Sequence, residues 1–387
     1  MRATLRAATI AVAALISTAA AAQAPAVRDT PLGRLVATMP PGTWLELPAK
    51  NRISDVYPSG TGHPAWGVLG PMGVVRAWGG GAVGDGKLFV WGGGHHDYGG
   101  NEMYAFDLAT LTWSRLTDPS RYTADCSSGT MCNTTDGTPT SVHSYDGIEW
   151  LPKAGKLWVG GGSAYQVGWG TPQAFLFDPR TRRWERIENV WGDWLQSDYD
   201  PVTESLVVSG SQVGLLAIHD GMTGRRRAQS GKGRTFHDVA GALDFDRRIF
   251  VALDIEAPLA WPLPPGALGR IPYLQSNSYM RAARIEGGRR VAFHPPRAHR
   301  SGIAYHPPSR RFAVWNGDPT VYFLDAGDWT WTEAAPAGGK GPSAYRDPAR
   351  KQLRTAGIYG RWRWLPDYGV FLGYNDDEGR PWVFRAP

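Results

Sequence analysis

The sequence predicts an all-β fold built from many short strands and tight turns. Eighteen tryptophans and 49 glycines occur among the 387 residues, and this mixture is typical of short strands, turns and aromatic packing surfaces. Apolar runs such as KLFVWGGG and KLWVGGG end in glycine clusters, as strands that enter a turn do. In addition, one sequence pattern recurs along the chain.

The recurring pattern places a tryptophan six residues after an aspartate. It occurs as FDLATLTW ending at Trp113, as FDPRTRRW ending at Trp184, and as LDAGDWTW ending at Trp331. The first two copies follow the glycine-ended strands that begin at Lys87 and Lys156. The repeated order is therefore a strand, a glycine turn, a strand ending in Asp, a short turn, and a strand beginning at Trp.

This order resembles the kelch repeat, in which each unit of roughly 50 residues forms one four-stranded blade of a β-propeller. The resemblance implies an all-β, kelch-like propeller. Candidate first strands predict six blades, in the stretches 75–83, 143–152, 196–204, 237–246, 299–308 and 360–371. The length of the chain leaves seven blades open. We expect the isolated tryptophan strand at 42–48 to complete the last blade and so remove two free sheet edges.

The beginning of the chain predicts export. In residues 1–22, Arg2 and Arg6 precede an apolar run that ends in small residues, which is the pattern of a signal peptide. We expect residues 23–387 to form a single propeller domain, secreted or periplasmic, without a membrane span. Loss of the two arginines lowers the formal net charge from +6 to +4, too little to indicate nucleic-acid binding. We expect a monomer.

Two cysteines lie in the stretch DCSSGTMC. In an oxidising compartment, their spacing favours a disulfide between Cys126 and Cys132 that closes a short loop, and two free thiols are the alternative.

The propeller topology predicts where polar side chains gather. Loops between the second and third strands of a blade lie on the same face as the entries to the innermost strands, so both kinds of segment form one rim. Five of the nine histidines are predicted to reach that rim from four blades, although a single histidine there is more often structural. The rim residues are His95, His96, Tyr98, His143, Tyr145, Tyr165, Trp169, His237, His299, Arg300, Asn316 and Arg361.

These residue types fit β-elimination in an acidic polysaccharide or oligosaccharide. The reaction needs a cation at the uronate carboxylate, a base at C5 and an acid for the leaving oxygen. As catalytic groups we predict His96, His143, Tyr145, His237 and Arg361, with arginine neutralising the carboxylate and His and Tyr as base and acid. As substrate-binding groups we predict His95, Tyr98, Tyr165, Trp169, His299, Arg300 and Asn316.

The predicted signal peptide, the stretch GGGHHDYGGNEMYAFD and the His, Tyr and Arg-rich rim resemble secreted propeller polysaccharide lyases such as the ulvan lyases. These belong with the kelch-type propellers that include galactose oxidase. The resemblance implies an exported lyase that cleaves a uronic-acid glycan. A non-catalytic, lectin-like propeller and a periplasmic protein-interaction platform are the alternatives. A divalent metal, zinc or calcium, held by His95, His96 and His143 stays open, and we expect no other cofactor.

Overall fold

The computed structural model describes residues 29–59, 67–190, 194–210, 215–229, 238–263 and 278–387. These residues form an all-β propeller with six blades, as the sequence predicts. The predicted signal peptide and the candidate residue His237 lie outside the described residues. Among the described helices, none is long and apolar enough to cross a membrane.

Each blade contains four antiparallel strands that run in order from the innermost to the outermost. Blade 1 contains Gly80–Gly84, Lys87–Trp91, Tyr104–Asp107 and Thr112–Arg115. Blade 2 contains Ile148–Leu151, Lys156–Gly160, Gln173–Asp178 and Arg183–Asn189. Blade 3 contains Gln196–Asp200, Ser205–Gly210, Leu215–Asp220 and Arg226–Gln229.

The second half of the ring repeats this arrangement. Blade 4 contains Gly241–Asp244, Ile249–Leu253, Pro258–Pro262 and Ser278–Tyr279. Blade 5 contains Gly302–His306, Arg311–Trp315, Val321–Asp325 and Thr330–Ala334, and its outer edge carries a hairpin of Ala283–Glu286 and Arg289–Ala292. Blade 6 contains Trp362–Leu365, Val370–Gly373, Trp382–Arg385 and Thr43–Glu46. Every predicted first strand overlaps the innermost strand of one blade.

Short helices and small sheets lie in the connections. The α-helices are Pro31–Ala37 and Gly73–Arg76, and the 3-10 helices are Ile53–Val56, Gly70–Met72, Ala298–Arg300, Pro307–Ser309 and Tyr359–Arg361. Two-stranded sheets pair Val142–His143 with Ser163–Ala164, and Tyr345–Asp347 with Gln352–Leu353. The predicted disulfide joins Cys126 to Cys132.

The Asp-to-Trp motif explains how each outer hairpin turns. Asp107 Oδ1 accepts hydrogen bonds from the backbone N–H groups of Ala109 (2.9 Å) and Thr110 (2.8 Å). Such a side-chain cap satisfies turn donors that have no strand partner. Trp113 lies in the outermost strand of the blade and is buried. The aspartate therefore fixes the turn and the tryptophan fixes the packing.

The ring closes through its first and last strands. Strand Thr43–Glu46 pairs antiparallel with Trp382–Arg385, and Trp44 lies opposite Phe384. The Trp44 ring centroid lies 5.4 Å from that of Trp315, and its Nε1 donates to the Pro319 carbonyl at 2.7 Å. Both contacts reach blade 5, so the closing strand joins two blades.

Replacing Trp44 with alanine should lower the free energy of unfolding by about 3 kcal/mol, because it removes a packed aromatic ring and a hydrogen bond. Urea unfolding measures this change. Trp169 is 54% exposed, so Trp169→Ala is the control and should change the stability by less than about 0.5 kcal/mol. Equal effects of the two substitutions would contradict the closing role of Trp44.

His306 lies buried between blades 5 and 6. Its ring centroid is 4.5 Å from that of Trp364 and 5.3 Å from that of Phe371. Burial, with a smaller contribution from Arg311, lowers the pKa of His306 to about 4. The ring is therefore neutral in the folded protein over the range in which an unfolded histidine gains a proton.

The free energy of unfolding should fall as the pH is lowered from about 7 to about 4, because His306 binds a proton in the unfolded chain but stays unprotonated in the folded protein. The full loss from this residue, about 3 kcal/mol, is reached below the folded pKa. Urea unfolding at several pH values measures it in the wild type and in His306→Gln. The variant should show a weaker pH dependence, and identical curves would contradict the assignment.

Candidate functional site at the axial mouth

The entries to the innermost strands share an uncommon backbone conformation. In blades 1, 2, 3, 4 and 6, a residue other than glycine has a positive φ two or three positions before the innermost strand. These residues are Trp78 (47°), Tyr145 (47°), Trp194 (48°), Asp238 (53°) and Tyr359 (52°). Bulky residues rarely adopt this conformation, and such strain concentrates at functional sites.

Blade 5 contributes Arg300 at the corresponding position, at the end of the helix Ala298–Arg300. We call the six entry residues the axial cluster: Trp78, Tyr145, Trp194, Asp238, Arg300 and Tyr359. Because the innermost strands surround the axis, this cluster lies at one mouth of the propeller.

Aromatic side chains of blades 2, 3 and 6 contact one another in the axial cluster. Trp194 Nε1 donates to Tyr145 Oη at 2.8 Å, and the ring centroids of Tyr145 and Tyr359 are 5.8 Å apart. Both tyrosines are buried, whereas Trp194 is half-buried. Burial raises the pKa of the Tyr359 phenol well above its usual value. The two tyrosines therefore form the buried floor of the mouth, and Trp194 keeps part of its surface accessible.

The polar part of the axial cluster centres on Arg300. Its guanidinium carbon lies 5.6 Å from the centre of the Trp78 ring, and its Nη2 donates to Asp238 Oδ2 at 3.2 Å. The side chains of Arg300 and Asp238 are 34% and 19% exposed. The mouth thus offers a cation, a carboxylate and indole surfaces within one small area.

Three histidines adjoin the axial cluster. His143 Nε2 donates to Asp97 Oδ2 at 2.8 Å, and its ring centroid lies 5.3 Å from that of His95. The His95 and His96 centroids are 4.5 Å apart, and the His143 centroid lies 4.8 Å from that of Trp78. We call His95, His96, Asp97 and His143 the histidine cluster. The structure thus brings together His95, His96 and His143.

The histidine cluster contains a neutral imidazole. Partial burial, followed by the neighbouring His143 and His96, lowers the pKa of His95. His96 is exposed, whereas His143 is buried. Among the described residues, no group of three or more His, Cys, Asp and Glu side chains is placed to hold a metal ion. We therefore build no function on the zinc or calcium site that the sequence left open.

The loop that contains Trp169 lies against the histidine cluster. A Cβ atom on Gly168 would be only 2.4 Å from His95 Nε2, so the imidazole packs directly on the glycine backbone. Trp169 is 54% exposed, whereas Tyr165 is buried and stacks on Tyr122 at 5.6 Å between centroids. Trp169 is therefore accessible to a ligand, and Tyr165 supports the loop.

Besides Tyr165, two other predicted binding residues are buried. Tyr98 is 2% exposed and its Oη donates to Glu102 Oε1 at 2.5 Å. Asn316 is 7% exposed and its Nδ2 donates to the Pro296 carbonyl at 2.9 Å. These contacts within the protein occupy both side chains, so we do not include them in the candidate site.

Arg361 is also buried, although we predicted it to neutralise a substrate carboxylate. It has no exposed surface, and Nη2 donates to the Val75 carbonyl at 3.1 Å and to Thr355 Oγ1 at 2.9 Å. Burial lowers its pKa to about 10, so it stays charged at neutral pH. Arg361 fixes the backbone behind the mouth, and Arg300 is the accessible arginine.

His299 precedes Arg300 in the same short helix and is half-buried. Burial, and then the charge of Arg300, lowers the pKa of His299. It lies at the blade 5 entry as expected.

Sequence reasoning missed four members of the axial cluster: Trp78, Trp194, Asp238 and Tyr359. Each lies just before a predicted innermost strand or within its first four residues, so the sequence places them near the mouth but does not show which way their side chains point. Among the residues at those entries, the sequence predicted a role only for His143, Tyr145, His237, His299, Arg300 and Arg361.

The described residues define an all-β, six-bladed propeller with aromatic, acidic and basic groups at one mouth. No protein-family model and no curated protein matches this sequence. Among solved structures, the chain is similar to an auxiliary nutrient binding protein from Bacteroides thetaiotaomicron, with 12% identity over 84% of this chain and 69% of that chain. The TM-score is 0.47, too low for a conclusion about function.

Proposed function

We propose that the axial mouth binds an acidic saccharide. The observation that carries this proposal is the axial cluster, in which the half-buried indole of Trp78 lies beside the partly exposed guanidinium of Arg300 and the half-buried indole of Trp194 is hydrogen-bonded to Tyr145. Binding sites of this kind combine apolar surfaces with a few convergent polar groups. The propeller fold is compatible with such a binding role.

The chemistry of the cluster favours a sugar that carries a carboxylate. Indole rings present flat apolar faces that can cover the C–H face of a sugar ring, and their edges stay polar. Asp238 and the histidine cluster can exchange hydrogen bonds with hydroxyl groups. Arg300 can donate charge-assisted hydrogen bonds to a carboxylate, because its side chain is 34% exposed. A uronic-acid oligosaccharide has all three features: an apolar ring face, hydroxyl groups and a carboxylate.

Arg300→Gln should weaken the binding of a uronic-acid oligosaccharide about tenfold, because a charge-assisted hydrogen bond is lost. Glutamine can still contact Asp238, so the fold should be preserved. Tryptophan fluorescence titration measures the affinity of the wild type and of the variant for this oligosaccharide and for its carboxyl-reduced counterpart. The affinity for the reduced oligosaccharide should hardly differ between the two proteins.

Arg350→Gln is the matched control, because the Arg350 side chain is 85% exposed and lies outside the axial cluster. It should leave both affinities unchanged. If wild-type protein binds the acidic and the reduced oligosaccharides equally, Arg300 does not recognise a carboxylate. If the wild-type protein binds neither oligosaccharide, the proposed function is wrong.

A second candidate function is cleavage of the same saccharide by β-elimination, and the Asp97–His143 pair favours it. A carboxylate that accepts from one ring nitrogen orients the imidazole and leaves the other nitrogen, Nδ1, to act as a base. The base would remove the C5 proton, the electron pair would form the C4–C5 double bond, and the C4–O bond would break. Tyr145, whose ring centroid is 5.9 Å from that of His143, is the candidate acid for the leaving oxygen.

If the protein is a lyase, uronate polymers should gain short-wavelength ultraviolet absorbance, and His143→Ala should lower the rate at least about a hundredfold, as loss of a general base does. Circular dichroism checks that the variant is folded. Activity that survives in His143→Ala would remove this residue from the reaction. No absorbance on any uronate polymer, with binding retained, leaves binding as the function.

A further inference from the structure

The disulfide lies in a loop that contacts the histidine cluster. We call residues 126–132 the disulfide loop. Within it, the Gly129 N–H donates to the Gln166 carbonyl at 2.9 Å, and the Gln166 N–H donates to the His95 carbonyl at 2.7 Å. Two successive hydrogen bonds therefore link the disulfide loop to the backbone of His95.

A second connection runs through buried side chains. Cys132 and Tyr165 form a small buried cluster, against which Tyr122 and Cys126 pack. The Tyr122 hydroxyl donates to the Gly99 carbonyl at 2.7 Å, and Gly99 lies in the loop that contains His95. The disulfide thus supports the loop from two directions.

Two of the residues that these contacts connect, His95 and Gln166, have strained backbone conformations. His95 has φ of 57° and Gln166 has φ of 70°. Residues other than glycine keep such angles only where surrounding contacts impose them. The His95 imidazole also packs on Gly168, where a Cβ atom would be 2.4 Å from Nε2. The position of His95 therefore depends closely on the neighbouring loop.

We infer that the disulfide loop holds His95 in its binding position, so that reduction of the disulfide by a dithiol lowers the affinity of the axial mouth for its ligand. The part of this inference that concerns affinity rests on the proposed function. The part that concerns the position of His95 does not. With the disulfide open, the Gly129 contact weakens and His95 and Gln166 relax toward unstrained angles. The fraction of protein with a competent site then falls, and the dissociation constant rises in proportion.

The redox step needs only a dithiol reagent. Cys126 is half-buried, whereas Cys132 has no exposed surface, so attack occurs at Cys126. The reagent thiolate bonds to the Cys126 sulfur, the S–S bond breaks, and Cys132 leaves as a thiolate that takes up a proton. The second reagent thiol then displaces Cys126 and forms the reagent's own disulfide, so two electrons and two protons pass to the protein.

Amide hydrogen exchange of the full chain tests this inference, before and after reduction by dithiothreitol. The Gln166 and Gly129 amides should exchange about tenfold faster in the reduced protein, because their hydrogen bonds open locally. The Val251 amide, in the second strand of blade 4, should not change. Affinity for the uronic-acid oligosaccharide should fall about tenfold in parallel.

The double variant Cys126→Ala and Cys132→Ala provides an independent comparison and should match the reduced protein. Unchanged exchange at Gln166 in both proteins would overturn the inference, as would faster exchange with unchanged affinity. Faster exchange at Val251 in both would also overturn it, because the disulfide would then support the whole fold. If exchange at Gln166 rises but neither form binds a saccharide, the support of His95 stands and the proposed function fails.

Discussion

The structure depends on the pairing of the strands Thr43–Glu46 and Trp382–Arg385, which closes the ring at its outer margin. Without this pair, both strands would present free edges that invite association with other chains. The same blade also closes the ring at its inner margin. A Cβ atom on Gly360 would lie 1.9 Å from the Gly81 carbonyl oxygen, so only glycine allows blade 6 to approach blade 1 this closely. The two closures together fix the separation of the entries on either side of the seam.

An ionic link spans the axis behind the mouth. Arg363 of blade 6 donates to Glu149 of blade 2 at 2.6 Å and lies 3.9 Å from Asp198 of blade 3. Burial raises the pKa of Glu149 to about 7, and Arg363 opposes that rise. Breaking such a buried pair is costly because a charge is left without compensation. The link therefore holds three blades at a fixed spacing beneath the strained entries.

Most of the fold could be predicted from the sequence, because it follows from local signals. Each Asp-to-Trp motif specifies one hairpin, glycine clusters specify the inner turns, and the lone tryptophan strand specifies the closure. The histidine cluster was predictable in part, since His95 and His143 lie on segments that the topology assigns to one face. These predictions needed only the order of strands in a blade.

The remaining site residues depend on features that the sequence does not show. Whether an entry side chain points toward the axis depends on its backbone angles, and the positive φ of Trp78 and Trp194 has no sequence signal comparable to glycine. Tyr98 and Arg361 were expected at the mouth, but each finds partners inside the protein. Burial of a polar side chain is set by packing from several blades, so a one-dimensional pattern does not determine it.

The geometry of the mouth favours binding over elimination. The Arg300 side chain is 34% exposed beside Trp78, so the saccharide that we propose as ligand would reach it without a rearrangement of the cluster. Tyr145, by contrast, has only 4% of its surface exposed, so its ring would have to move before the hydroxyl could reach a leaving group. His143 also has only 4% of its surface exposed. Elimination therefore requires movement of both tyrosine and histidine, whereas binding uses the groups where they lie.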